Sequence, residues 1–158
     1  MDIKTKVSVV IEDNGKVLLI KEWSNKRNGH FWNLVKGTYG DNENESLAEC
    51  AIREAKEEAG IDITIKKLLS CYTYIDDVVG LQFNFLALPS EGATSKLTNK
   101  NEQKSRGEDI IEIKWITKEE LSEINPDEFI SKKIYKVIQD WINNTSYNFE
   151  ILSKEVIK

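Results

Sequence analysis

A chain of 158 residues is long enough for one domain with its own core and short for two. Its composition, 40% hydrophobic and 31% charged without any biased tract, is that of an ordinary soluble globular protein. With 22 basic and 27 acidic residues the net charge is -5, which argues against binding duplex nucleic acid through a basic face. A polyphosphate substrate stays open, because metal ions supply positive charge locally.

The first residues, Met1-Asp2-Ile3-Lys4-Thr5-Lys6, are charged and contain no apolar run of signal-peptide length. No stretch nears the roughly 20 consecutive apolar residues that a membrane-spanning helix needs. Cys50 and Cys71 make neither a metal-binding pair nor a disulfide framework. These features predict a cytoplasmic protein without a membrane partner.

In chain order, residues 6–12 and 16–22 are β-rich runs around Asp13-Asn14-Gly15, a strong hairpin signal. Residues 23–30 are polar, contain Asn28-Gly29 and read as a loop, and residues 31–35 read as a short strand. Residues 37–45 form a turn-rich loop with Gly37, Gly40, Asp41, Asn42 and Asn44. A helix then starts sharply, since Ser46 followed by Glu49 is a capping box. Leu47, Ala51, Ala55 and Ala59 give it a core-facing stripe, with Ala48 and Ile52 alongside and Gly60 placed to cap its end.

Residues 61–75 and 81–88, on either side of Asp76-Asp77, are further β-rich stretches. Residues 89–107 are polar and turn-rich, 110–116 read as a strand, 118–124 as a short helix and 127–142 as a longer one. In that last helix Phe129, Ile134, Val137, Ile138 and Trp141 are candidate core contacts, and residues 143–146 break it. No repeat or linker divides the chain, so residues 1–146 read as one domain and 147–158 as a tail that packs on the domain or on a partner subunit. Tyr147, Phe149 and Ile151 alternate in that tail, a candidate pairing with a sheet edge or with the second copy of a homodimer. Strands interrupted by helices in this order imply an α/β fold, a mixed sheet covered by helices.

The helix carries the chemistry. Glu54, Glu57 and Glu58 stand at i, i+3 and i+4 and share one face. Like charges at that spacing repel by roughly 0.2–0.5 kcal/mol per pair, which a divalent cation would offset. Carboxylate oxygens suit hard ions such as Mg²⁺ or Mn²⁺. A solvated acidic face is the bland alternative, but the carboxylates border the apolar stripe and so lie at the rim of a cleft. Arg53 stands four residues before Glu57 and can pair with it, fixing a rotamer.

Glu45, seven residues, then Arg53-Glu54-Ala55-Lys56-Glu57-Glu58-Ala59-Gly60-Ile61 resembles the Nudix box, G-x5-E-x7-R-E-U-x-E-E-x-G-U with U apolar. Trp32-Asn33-Leu34-Val35-Lys36-Gly37 is similar to the W-x-L-P-K-G that precedes the box, with Val35 in place of proline. Seven residues separate Gly37 from Glu45 where the pattern has five. The spacing reads as a two-residue insertion with Gly37 as the box glycine; in the other reading Gly40 takes that place on a shifted backbone.

The resemblance implies an α/β/α sandwich with a mixed β-sheet between helices. It also implies hydrolysis, with Mg²⁺ or Mn²⁺, of a pyrophosphate bond in a nucleoside diphosphate linked to another moiety. Modified nucleoside triphosphates, nucleotide sugars and dinucleoside polyphosphates are the small-molecule substrates of that kind. Glu57 and Glu58 would be the main metal ligands, and Glu54 a further ligand or the base acting on water. Lys36 or Gly37 would offer a backbone carbonyl, Arg53 would orient the carboxylates, and Glu45 would support the loop. The family often adds a distal carboxylate, for which Glu108 and Glu112 are the candidates. Both precede Ile113-Lys114-Trp115-Ile116, which resembles the strand that follows such residues, and Glu112 is the one preferred.

Arg27 and Lys36 are candidate phosphate contacts, Trp32 a candidate stacking partner for a base, and Tyr39, in the inserted loop, a candidate substrate contact. Trp32 has core packing as its plainer alternative, and the same holds for the pairs Tyr72 with Tyr74 and Phe83 with Phe85. Lys104 and Arg106 read as solvated surface before they read as phosphate clamps, and His30 as incidental. The competing class is a non-catalytic nucleotide-sensing or protein-interaction domain, which has no requirement to keep all three glutamates.

Overall fold

The computed structural model describes residues 3–75 and 78–152. The Asp76-Asp77 junction and the end of the tail lie outside the described residues. The chain opens with strands β1 (Ile3–Asp13) and β2 (Lys16–Ser24), joined through Asn14 at φ 49° and Gly15 at φ 76°. Two successive left-handed residues are what a type I′ hairpin turn demands. The strands stay paired only at Glu12–Val17 and Asp13–Lys16 and then splay apart.

That splay creates two leaves. β1 takes β4 (Val35–Thr38) as an antiparallel neighbour and β6 (Val79–Pro89) as a parallel one, and β6 pairs with β5 (Ile63–Ile75). β2 takes β3 (Gly29–Asn33) and β7 (Ile110–Thr117), both antiparallel. Together they form a mixed seven-stranded sheet.

Helices cover both faces. Val7, Val9, Ile11, Leu18 and Ile20 pack with Cys50, Ala51, Ala55 and Ala59 of helix α1 (Leu47–Ala59). Val10, Val17 and Leu19 pack on the other side with Ile134, Val137, Ile138 and Trp141 of α4 (Lys132–Ile142). Burial on both faces explains why these two strands read as nearly continuous apolar runs. The alanine stripe lets α1 sit close against its leaf. Its ends are fixed as the sequence predicts, by the reciprocal Ser46–Glu49 capping box and by left-handed Gly60. Gly60 is doubly required, since a Cβ there would stand 2.5 Å from the Lys96 carbonyl.

Several boundaries differ from the sequence reading. Residues 23–30 are mostly strand, with Trp23 opposite His30 and Ser24 opposite Gly29, so only a four-residue turn remains. The segment 31–35 is broken at Leu34, where the chain crosses between leaves and the Asn33 side-chain oxygen accepts the Leu34 amide at 2.9 Å. Gly37 and Thr38 belong to β4 rather than to the loop. A short helix α2 (Lys100–Ser105), capped by Asn99, interrupts residues 89–107. The helix α3 (Lys118–Glu123) starts on a Thr117–Glu120 capping box.

The helix expected over 127–142 begins only at Lys132. The Ile130 amide donates to the Trp32 carbonyl at 2.8 Å, holding residues 129–130 extended against β3, and Ser131 then caps α4. In the tail, Tyr147 exchanges both backbone bonds with Leu68 of β5, and Phe149 and Leu152 pack against the α1-side core. No helix among the described residues is long and apolar enough to cross a membrane.

Candidate active site

The carboxylate face of α1 turns toward the free edge of β4. The contact is close: a Cβ added at Gly37 would stand 1.9 Å from the carboxyl carbon of Glu54. Gly37 is therefore the glycine that faces the helix. Gly40, at φ 100° with nothing within 4 Å, serves the turn beyond it. One residue back, the Lys36 amide donates to Glu58 Oε2 at 2.9 Å. Glu54, Glu57, Glu58 and Gly37 thus line one cleft of about 410 Å³, and Glu108 closes its far wall.

Arg53 organises this wall. Its Nε and Nη2 donate to the two oxygens of Glu45, each at 3.0 Å. Its Nη1 donates to Glu54 at 2.7 Å and to Glu57 at 3.1 Å. One planar fork therefore ties the loop before the helix to two of the cleft carboxylates. The bidentate bond to Arg53 holds the Glu45 carboxyl below its ordinary range.

The other carboxyls are pushed the opposite way. Burial raises Glu54 to about 7, against the pull of Arg53. Burial, and after it the neighbouring Glu22 carboxylate, raises Glu58 well above the usual range despite Lys36. Cys50, beneath Thr38, is raised to about 12 chiefly by burial, so it is no nucleophile.

Among the described residues no three acidic, histidine or cysteine side chains already stand grouped as a metal cage. The bonds explain this, since Arg53 engages Glu54 and Glu57 while the Lys36 amide engages Glu58. The donor set nonetheless fits a hard divalent cation. Several carboxylates converge on one cleft, two of them buried, with no soft ligand exposed there.

Four expectations change. Glu112 is exposed on β7 opposite Lys21 and does not reach the cleft. Glu108, in the loop after α2, does. Strand geometry fixes where Glu112 points, whereas the loop lets Glu108 turn inward. Arg106 is neither free surface nor a ready phosphate clamp: it grips Glu108 at 2.8 and 2.9 Å and donates to the Glu57 carbonyl at 2.8 Å.

Trp32 is 7% exposed in the α4-side core, so it offers no open face to a base at the cleft. Tyr39 packs against the α1-side core and donates its amide to Thr5, because the chain is still leaving β4 there. His30 lies apart, bonded to Asp109 at 3.1 Å.

Two residues escaped the sequence reading. Glu22 is buried and accepts from Asn33 Nδ2 at 2.7 Å and from Lys36 Nζ at 2.5 Å. Its signal was present: β2 is buried on both faces, and the period of two carries position 22 on from Leu18 and Ile20. Asn33 is fully buried beside it.

Arg27 and Lys36 point elsewhere, into a second cavity of about 710 Å³ on the sheet face opposite α1. There Arg27 donates to the Phe129 and Asp127 carbonyls at 2.6 and 2.7 Å and stacks 3.7 Å from the Phe31 ring centre. Gln82 lines the same cavity and is held from behind by a buried chain through Asn84, Ser8 and Ser70.

A family model described as NUDIX domain matches residues 3–138. A NUDIX hydrolase from Nitrosomonas europaea superposes with a TM-score of 0.79 at 19% identity, covering 96% of this chain and 97% of that one. The NUDIX domain of Shewanella oneidensis NrtR, complexed with ADP ribose, does so with a TM-score of 0.67 at 16% identity, over 91% and 89%. A bifunctional NMN adenylyltransferase/ADP ribose pyrophosphatase from Francisella tularensis, complexed with AMP and a manganese ion, gives 0.70 at 18% identity, over 91% and 42%.

Proposed function

Because this chain belongs to the Nudix domain family, we propose that its acidic cleft hydrolyses a pyrophosphate bond in a nucleoside diphosphate linked to another moiety, with Mg²⁺ or Mn²⁺. The observation that carries this reading is the collision at Gly37. Only a residue without a side chain leaves room for the Glu54 carboxyl beside β4. A solvated acidic face would tolerate any residue there. The manganese ion and AMP bound by the similar Francisella protein support the choice of ion and of substrate class.

Glu57 and Glu58 are the principal ligands in this reading, Glu54 a further ligand or the base, and Glu108 the distal carboxylate. The Gly37 or Lys36 carbonyl completes the set. A divalent ion held by these carboxylates would neutralise phosphate charge and make a water bound to it more acidic than bulk water. Arg53 holds Glu54 and Glu57 in position until an ion competes for them, and Glu45 keeps Arg53 in place. Glu54, whose carboxyl burial raises to about 7, would in its ionised form take a proton from the attacking water. No serine or cysteine nucleophile is required.

The test is a screen of nucleoside triphosphates, nucleotide sugars, ADP-ribose and dinucleoside polyphosphates, with Mg²⁺, Mn²⁺ or chelator. Metal-dependent release of a nucleoside monophosphate or of pyrophosphate is expected, falling at least about a hundredfold in Glu57→Gln and Glu54→Gln. Undiminished turnover in Glu57→Gln rules out this metal site. Nucleotide binding without turnover on any substrate favours a sensor.

A further inference from the structure

Glu22 is a buried carboxylate that does not itself line the acidic cleft. It stands opposite Phe31 of β3 and Ile110 of β7, where the pairing of β2 with β7 shifts register between Lys21 and Glu22. Register shifts of this kind re-aim a side chain. Asn33 donates to Glu22 with its side-chain nitrogen and accepts the Leu34 amide with its side-chain oxygen, so Glu22 is anchored at the crossing between the leaves. A charge buried in such a place persists only with a partner.

That partner is Lys36, which the cleft also attracts. The Lys36 Nζ donates to Glu22 at 2.5 Å, while its amide, not its ammonium, donates to Glu58 at 2.9 Å. After Glu22, the carboxylates that act most on the Lys36 ammonium are Glu58 and then Glu54. Glu22 and Lys36 in turn act on the Glu58 carboxyl in opposite senses, the first opposing its ionisation and the second favouring it. Without Glu22, Glu58 is the strongest attraction left to the ammonium. A cation drawn to Glu58 competes with a divalent ion for that carboxylate and repels it.

We infer that Glu22 is a positioning residue of the metal cleft: it holds and neutralises the Lys36 ammonium, which leaves the Glu58 carboxylate to the ion. The inference rests on the reading of the cleft as a metal site, and it extends that site to a residue that touches neither ion nor substrate.

Mn²⁺ binding by the full chain without substrate tests this, read from the electron paramagnetic resonance of the free ion. The two single variants are expected to move affinity in opposite directions. Glu22→Gln keeps the shape and an acceptor for Asn33, and is expected to weaken binding about tenfold or more. Lys36→Met removes the competing cation and is expected to tighten binding about threefold or more. The double variant carries neither charge and is expected to lie within about threefold of wild type. A pair that only braced the fold would weaken binding in both single variants and most in the double. Melting curves in chelator show which variants fold, and if Glu22→Gln does not, the change in Lys36→Met decides.

A smaller loss in Glu22→Gln, less tightening in Lys36→Met, or a double variant outside its range overturns the inference. Glu57→Gln marks the site. If the wild type binds no Mn²⁺, or Glu57→Gln binds it equally well, the metal reading of the cleft falls and the inference falls with it. The expected pattern in a protein that hydrolyses none of the screened nucleotides overturns the hydrolytic reading alone.

Discussion

Gly37 and Glu54 occupy the same space but for one methyl group: a Cβ at position 37 would stand 1.9 Å from the Glu54 carboxyl carbon. Gly37→Ala must therefore displace the carboxylate or move β4 off α1. An ångström-scale misplacement in a catalytic site lowers rate by about a hundredfold, and that loss in kcat/KM is expected here. Gly40→Ala is the control. Its Cβ meets nothing within 4 Å, so the change displaces no carboxylate, and its φ of 100° makes it a backbone strain of about 1 kcal/mol. Metal-dependent hydrolysis and thermal melting of both variants check the prediction, and equal loss of activity in the two would refute it.

Arg53 spans three carboxylates with one planar group, and lysine cannot reproduce that span. Arg53→Lys is accordingly expected to behave like Arg53→Ala, each lowering kcat/KM by about 10- to 100-fold. Each is also expected to lose about 1–3 kcal/mol of stability, because Glu54 stays buried with a hydrogen bond unmade. Urea unfolding beside steady-state kinetics measures both effects. A fully active Arg53→Lys would show that charge alone suffices.

The helix was legible in the sequence because everything that specifies it is local. Its cap, apolar stripe, glutamates and terminal glycine lie within residues 46–60, and each fell where the spacing put it. The hairpin at Asn14-Gly15 was legible for the same reason. What stayed hidden depends on distant partners. Whether Glu108 or Glu112 meets the cleft depends on Arg106 reaching the far end of α1, which no local pattern records. The late start of α4 follows from Trp32, nearly a hundred residues upstream, holding Ile130 extended. The second cavity draws on β1, β2, β4, β6 and α4, so its lining residues look scattered along the chain.

Glu108 and Glu112 make opposite predictions from neighbouring positions. Glu108→Gln is expected to lower kcat/KM by about a hundredfold, as loss of a ligand or proton acceptor does. Glu112→Gln, exposed on β7, stays within about twofold of wild type. Arg106→Gln leaves Glu108 without its tether, so the Mg²⁺ concentration for half-maximal rate is expected to rise about tenfold. Metal titrations of the three variants under saturating substrate separate these outcomes. Impaired Glu112→Gln with unimpaired Glu108→Gln would return the distal role to β7.

Asp140 on α4 ties the far face of the sandwich together, accepting from the Tyr72 hydroxyl of β5 and from Lys136 one turn earlier. Burial alone would raise its carboxyl, but the bonds from Lys136 and Tyr72 outweigh it and hold the carboxyl below its ordinary range. A depressed folded-state pKa means that the unfolded chain binds the proton more readily. The stabilisation is therefore complete above the unfolded value near about 3.9 and disappears as pH falls through the lower folded value. Asp140→Asn is expected to cost about 1–3 kcal/mol at neutral pH, the penalty for disrupting buried hydrogen bonds. The gap between wild type and variant then closes on the acid side of the unfolded value. Urea midpoints at a series of pH values from neutral down to acid unfolding check this, and a gap that stayed constant across the series would show that the carboxylate's charge contributes nothing.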